Sequence, residues 1–115
     1  MAKATEIDIE ARAKAGRENF LKGYNCAQSV IATFADIYPS DDIDTLLRLS
    51  ASFGGGMGRL RMTCGAASGM FMLAGLENGS ATPGNMEART RNYALVQELA
   101  AKFKEENDSL ICAEL

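Results

Sequence analysis

Chemistry in this 115-residue chain has to be built around three cysteines, Cys26, Cys64 and Cys112, because the sequence contains no His. Without imidazole there is no Ser-His-Asp or Cys-His catalysis, no imidazole metal ligation and no histidine pH switch. Carboxylates, Lys, Arg, Tyr and backbone groups are the remaining partners. A cysteine reacts as its thiolate, which a helix N-terminus or a neighbouring cation favours. Cys26 follows Asn25 and Cys64 follows Thr63, so the spacing predicts each at the first position of a capped helix. Gly65 leaves the sulfur of Cys64 sterically open, and Tyr24 stands where it could donate a hydrogen bond to a sulfur.

Charge is distributed unevenly around these residues. No Asp or Glu occurs between Thr45 and Leu76, while Arg48, Arg59 and Arg61 fall in that window, making it +3; the remainder is −6, with 9 basic against 15 acidic residues. Positive charge near Cys64 would stabilise a thiolate or draw in an anionic substrate. The alternative is that Arg59 and Arg61 are solvated or paired with carboxylates of other elements. The run Phe53-Gly-Gly-Gly-Met-Gly-Arg59 resembles a nucleotide loop only superficially. Its glycines fail G-x-G-x-x-G in both frames, and it lacks the Gly-Lys-Ser/Thr ending of a phosphate loop. Gly55, Gly56 and Gly58, with Arg59 and Arg61, could still form an anion-binding nest. Close packing of the loop against a small-residue helix is the competing reading, and the better one. The cysteine spacings of 38 and 48 residues include no C-x-x-C, so no metal site and no cofactor is assigned.

The elements that position these residues read as helices throughout. Residues 5–22 pair alternating charge with Ile9, Ala13, Phe20 and Leu21, and Gly23 is a stop signal. Asn25 and Gln28 form an Asn-x-x-Gln capping box that starts a second helix, with Ala27, Val30, Ile31, Phe34 and Ile37 on one face. Pro39 ends it, and Ser40-Asp41-Asp42 opens a third helix through Ile43, Leu46, Leu47 and Ser50. Residues 54–79 hold eight of the eleven glycines. A loop from Gly54 to Met62 leads to a helix from Cys64 to about Glu77, apolar nearly all round and therefore expected at the centre. A long helix over about 85–106 follows, and Asn107-Asp108-Ser109 would cap a short last helix over 110–115 that carries Cys112. The expectation is a single all-α domain over 1–115, a bundle of about five helices around a buried small-residue, Met-rich helix.

Composition narrows the function classes. The net charge of −3 argues against general nucleic-acid binding, which needs a concentrated basic face. No apolar run reaches the roughly 18 residues of a membrane span, and the charged N-terminus lacks the apolar stretch of a signal peptide. A cytoplasmic location is the default expectation, where thiols are reduced or catalytic rather than structural.

Four segments in order also resemble a known family. Tyr24-Asn25-Cys26-Ala27-Gln28, Phe53-Gly54-Gly55-Gly56-Met57-Gly58-Arg59, Cys64-Gly65-Ala66-Ala67-Ser68-Gly69 and Cys112-Ala113-Glu114-Leu115 are similar to the shared segments of small bacterial and archaeal redox-active proteins. That family is named for its C…GCAxxG…C…C pattern. Its pattern has a fourth cysteine beyond the third, whereas this sequence ends three residues after Cys112. The resemblance implies that the cysteines belong to one redox site.

Thiol–disulfide redox chemistry is thus the leading expectation, with Cys64 attacking and Cys26 or Cys112 resolving. A module holding a metal or small anion without turnover is one alternative. An oligomeric interaction protein with core cysteines is another. The implied partner is a redox protein or small-molecule ligand, and homo-oligomer formation is open to the chain.

Overall fold

Four of the five long helices begin on an Asp or Asn whose side chain accepts a backbone N–H three residues on. In a computed structural model that describes residues 8–115, Asp8 caps α1 (Ile9–Leu21), Asn25 caps α2 (Cys26–Phe34), Asp42 caps α3 (Ile43–Ser50) and Asn85 caps α6 (Met86–Asn107). Such caps are worth about 0.5–2 kcal/mol each. At α2 the Asn25–Gln28 capping box is complete in both directions. Short turns of 3-10 helix extend α2 over Ala35–Ile37 and α3 over Ala51–Phe53. A four-residue turn, α4 (Gly54–Met57), then precedes α5 (Gly65–Asn78). The described residues contain no strand, only one isolated antiparallel bridge between Thr63 and Ile111. The architecture is all-α, as expected, and residues 5–7 of the expected first helix lie outside the described residues.

Helix α5 is central, packed between α2 and α6. Its buried residues are the small ones, Gly65, Ala67, Ser68, Gly69 and Ala74, while Met70, Phe71, Met72 and Leu73 are only half-buried. The small residues of this small-residue, Met-rich helix thus make the innermost contact, and the methionines are only partly buried, short of the full burial expected. A Cβ at Gly65 would lie 2.9 Å from Cys26 Cβ and 2.9 Å from the carbonyl oxygen of Phe53. One at Gly69 would lie 2.9 Å from the carbonyl oxygen of Ala27 and 3.0 Å from Val30 Cβ. Two glycines four apart share a helix face, so α5 presents bare backbone to α2. Opposite it, Ala27 is fully buried and Ile31 nearly so.

Polar contacts attach the outer elements. Arg12 of α1 forks onto both carboxylate oxygens of Asp36, donates to the carbonyl of Thr33 at 2.7 Å and stacks over Phe34. Asn19 donates to Thr33 Oγ1 at 3.2 Å, and that hydroxyl donates to the carbonyl of Ser29. Tyr38 donates to Glu77 at 2.7 Å, tying the end of the α2 segment to the end of α5. Burial first, and then the Glu77 carboxylate, push the Tyr38 phenol well up, so it stays a donor throughout the working pH range. No described helix is long and apolar enough to cross a membrane.

Two outcomes follow from this packing. Gly69→Ala gains up to about 1 kcal/mol of helix propensity but meets backbone that cannot retreat, an overpacking penalty of about 1–3 kcal/mol. The net effect expected is a lower urea midpoint, whereas half-buried Gly75, with nothing near its Cβ position, should gain stability as Gly75→Ala. The Arg12 hydrogen bonds hold the Asp36 carboxyl below its ordinary value. A depressed carboxyl stabilises the fold above its unfolded pKa of about 3.9 and loses that contribution as pH falls through the folded value. Asp36 is exposed, so the term is at most about 1 kcal/mol. Acid unfolding curves of Asp36→Asn should converge on the parent curve below that window and fall beneath it above.

Candidate functional site

Cys26 occupies the place that the capping box dictates, the first residue of α2. Cys64 does not: it is itself the N-cap of α5, and its side chain makes no capping hydrogen bond. The expected first-position placement is corrected by one residue, because Thr63 is held in extended pairing with Ile111 and the helix begins only at Gly65. A Ser or Asp at this position would accept from the second or third amide of the helix; the Cys64 side chain does not. The amide of Cys64 itself donates to the carbonyl of Leu110 at 2.6 Å.

Cys112 also departs from the expected helix. It opens a three-residue 3-10 turn, Cys112–Glu114, after the bridge residue Ile111. Its amide donates to the carbonyl of Met62 at 2.6 Å, and that of Ala113 donates to Arg61. The bridge places Cys64 opposite Leu110 and Met62 opposite Cys112. Cys64 and Cys112 thus flank the same single bridge, one on either side of it. All three cysteines are half-buried free thiols. Cys26 is the third member, with its Cβ against Gly65, the residue after Cys64.

The glycine loop has a conformation that its composition alone does not show. Gly55, Gly56, Met57, Gly58 and Arg59 all have φ between 62° and 73°, a continuous left-handed stretch, and Arg61 returns to it at 63°. Left-handed backbone costs non-glycine residues about 1–2 kcal/mol each, and here Met57, Arg59 and Arg61 all adopt it. Gly56 is where side-chain absence matters most, since a Cβ would lie 2.7 Å from both Cys112 Cβ and the amide of Met62. The bare face of Gly56 is the seat of Cys112. The amides of Arg59, Arg61 and Met62 turn back onto the carbonyls of Gly54, Gly55 and Gly56. Those three donors are spent inside the loop.

The two arginines address different cysteines. Arg61 donates to Cys112 Sγ at 3.7 Å. Arg59 lies with Cys26, Gly54, Gly55, Gly58 and Tyr24 around an open cleft of about 620 Å³. The cationic region expected around Cys64 is therefore divided between its two neighbours. Among the described residues, no group of three or more Cys, Asp or Glu is arranged to hold a metal ion. Missed by sequence reasoning were the Thr63–Ile111 bridge and the Gly56–Cys112 contact. Each joins residues about 50 positions apart, and no local pattern signals such contacts.

A family model described as "Putative redox-active protein (C_GCAxxG_C_C)" matches residues 24–115. No curated protein and no solved structure matches the chain. The printed pattern has Gly before Cys in its central element, whereas here Cys64 precedes Gly65, with Ala66 and Gly69 in the order A-x-x-G. The pattern also has four cysteines where this sequence has three.

Gly56→Ala tests the seat of Cys112. The substitution combines left-handed strain with a backbone clash, for about 1–3 kcal/mol of destabilisation. Alkylation of Cys112 should speed up markedly in the folded variant as the segment lifts, with Cys26 little changed.

Proposed function

This chain belongs to the C_GCAxxG_C_C redox-active family, and on that premise we propose that it is a thiol–disulfide exchange protein working through Cys64 and Cys112. The observation that supports the reading is the Thr63–Ile111 pairing, which brings the Cys64 and Cys112 segments together, with Arg61 donating to Cys112 Sγ. Cys64 is the attacking group. It heads α5 as its N-cap, with no side-chain capping hydrogen bond to give up.

The co-reactant is a disulfide of a partner protein or a small thiol compound. The Cys64 thiolate attacks one of its sulfurs, forming a mixed disulfide and expelling the other sulfur as a thiolate. The Cys112 thiolate then attacks Cys64 Sγ, closing the Cys64–Cys112 bond and releasing the second thiolate. Two protein thiols lose two protons and two electrons, and the disulfide co-reactant takes up both electrons. Arg61 balances charge at Cys112 during the second step. A disulfide needs Cα atoms within about 6.8 Å, the separation that Cys64 and Cys112 must reach in this step. The C-terminal 3-10 turn, attached through a few backbone bonds, is the element free to make it.

A second reading has its own observation, the cleft shared by Cys26 and Arg59. There the protein would retain a small anion without electron transfer.

Peptide mapping after treatment with oxidised glutathione separates the two. Parent protein should form a Cys64–Cys112 bridge, Cys112→Ser should accumulate a mixed disulfide on Cys64, and Cys64→Ser should form neither. A Cys64–Cys26 bridge would move the resolving role to Cys26. Three uniformly slow thiols with no bridge would leave only anion retention. Arg61→Ala should slow bridge closure by about tenfold, a charge contribution of about 1.4 kcal/mol, while leaving the first attack nearly unchanged.

A further inference from the structure

Helix α1 has thirteen residues and buries none of them fully. A helix of that length is marginal without tertiary packing, and α1 is docked on one side only, through Arg12 and Asn19 against the end of α2, with Gly16 at the border between that side and the groove. Its neighbouring face is open and apolar. Ile9 is 80 % exposed and Phe20 55 %, and with Ala13 and Gly16 they line a groove of about 770 Å³ against Val30 and Phe34 of α2. The redox reading uses none of these side chains.

The order of residues along this face identifies what fits it. Ile9, Ala13, Gly16 and Phe20 follow a 4-3-4 spacing, a coiled-coil seam with large residues at the ends and small ones in the middle. The series is symmetric about its centre. Turned end for end, Ile9 meets Phe20 and Ala13 meets Gly16, so the bulky ends face each other and the small centre admits close approach. Charge follows the same symmetry. Glu10 and Arg17 occupy the same flank of the seam, where antiparallel pairing sets Glu10 of one helix beside Arg17 of the other, twice. Among the described residues neither has an ion-pair partner within its own chain. Arg12, on the other flank, is already neutralised by Asp36.

We propose that the α1–α2 groove is a homodimer interface, in which the α1 helices of two copies pair antiparallel about a two-fold axis between Lys14 and Ala15. The interface is isologous, each groove receiving Ile9 and Phe20 of the other copy. Cys26 and Ala66 line the same groove, so the second copy covers one flank of Cys26 and leaves its Arg59 side facing the open cleft.

Sedimentation equilibrium of the full chain in reducing buffer tests this, because reductant removes any contribution from intermolecular disulfides. The parent should be dimeric at tens of micromolar. Ile9→Glu, at an exposed position that leaves the monomer fold intact by circular dichroism, should be monomeric. Glu10→Arg should weaken the dimer about tenfold, as two attractive pairs become repulsive. The double exchange Glu10→Arg with Arg17→Glu should restore it to within about threefold of the parent. A parent that stays monomeric at 100 µM, the upper end of the measurement, overturns the proposal. So does a dimer that neither Ile9→Glu nor the charge exchange alters. Neither outcome bears on thiol exchange, which the peptide mapping reads separately.

Discussion

The close approach of α2 and α5 is the constraint on which the rest of the structure depends. It exists because Gly65 and Gly69 put no side chain between the α5 backbone and Ala27. Two helices whose backbones nearly touch gain dispersion contacts along their length, but only where both surfaces are small. The same contact brings the start of α2 against the start of α5. Cys26 therefore lies against Gly65, one residue from Cys64, although 38 residues separate the two cysteines in sequence. Packing and chemistry share one pair of glycines here.

The glycine loop extends that economy to Cys112. Its left-handed run carries unfavourable conformations at Met57, Arg59 and Arg61, a strain that the surrounding structure must hold in place. In return the loop reverses within a few residues, ties several of its amides back onto its own carbonyls and offers the bare face of Gly56 to Cys112. It then passes directly into the Thr63–Ile111 pairing that delivers Cys64 to the head of α5. Strain in the loop and access to the sulfurs are thus two aspects of one local geometry. The division of the arginines follows from it as well. Alternate residues of a tightly turned segment face different ways, sending Arg59 to the Cys26 cleft and Arg61 to Cys112.

Local rules were legible where their interactions span three or four residues. The Asn25–Gln28 capping box, the Asp42 cap and the helical spacing of Ala27 and Ile31 appear in the structure as read. The same rules misplaced Cys64 by one position, because a long-range β-bridge rather than Thr63 as a cap sets where α5 begins. They expected a helix around Cys112, where pairing with Met62 and Arg61 imposes extended backbone and a short 3-10 turn. They also placed the methionines of α5 in the core. Apolar character on every side of a helix says that it is central, but not which side lies closest to its neighbours. Neighbouring backbones select the smallest residues for that side.

By itself the sequence determined the fold class, the three thiols and the absence of imidazole, because these depend on composition and on short-range periodicity. It also carried the family's segments in order, since a motif is a property of the chain. Only the tertiary structure decided which segments the cysteines lie against, which arginine lies near which cysteine and which glycines are bare for packing. Those relations join positions some 30 to 50 residues apart, and the closeness of such positions is a property of the packed molecule that no local spacing encodes.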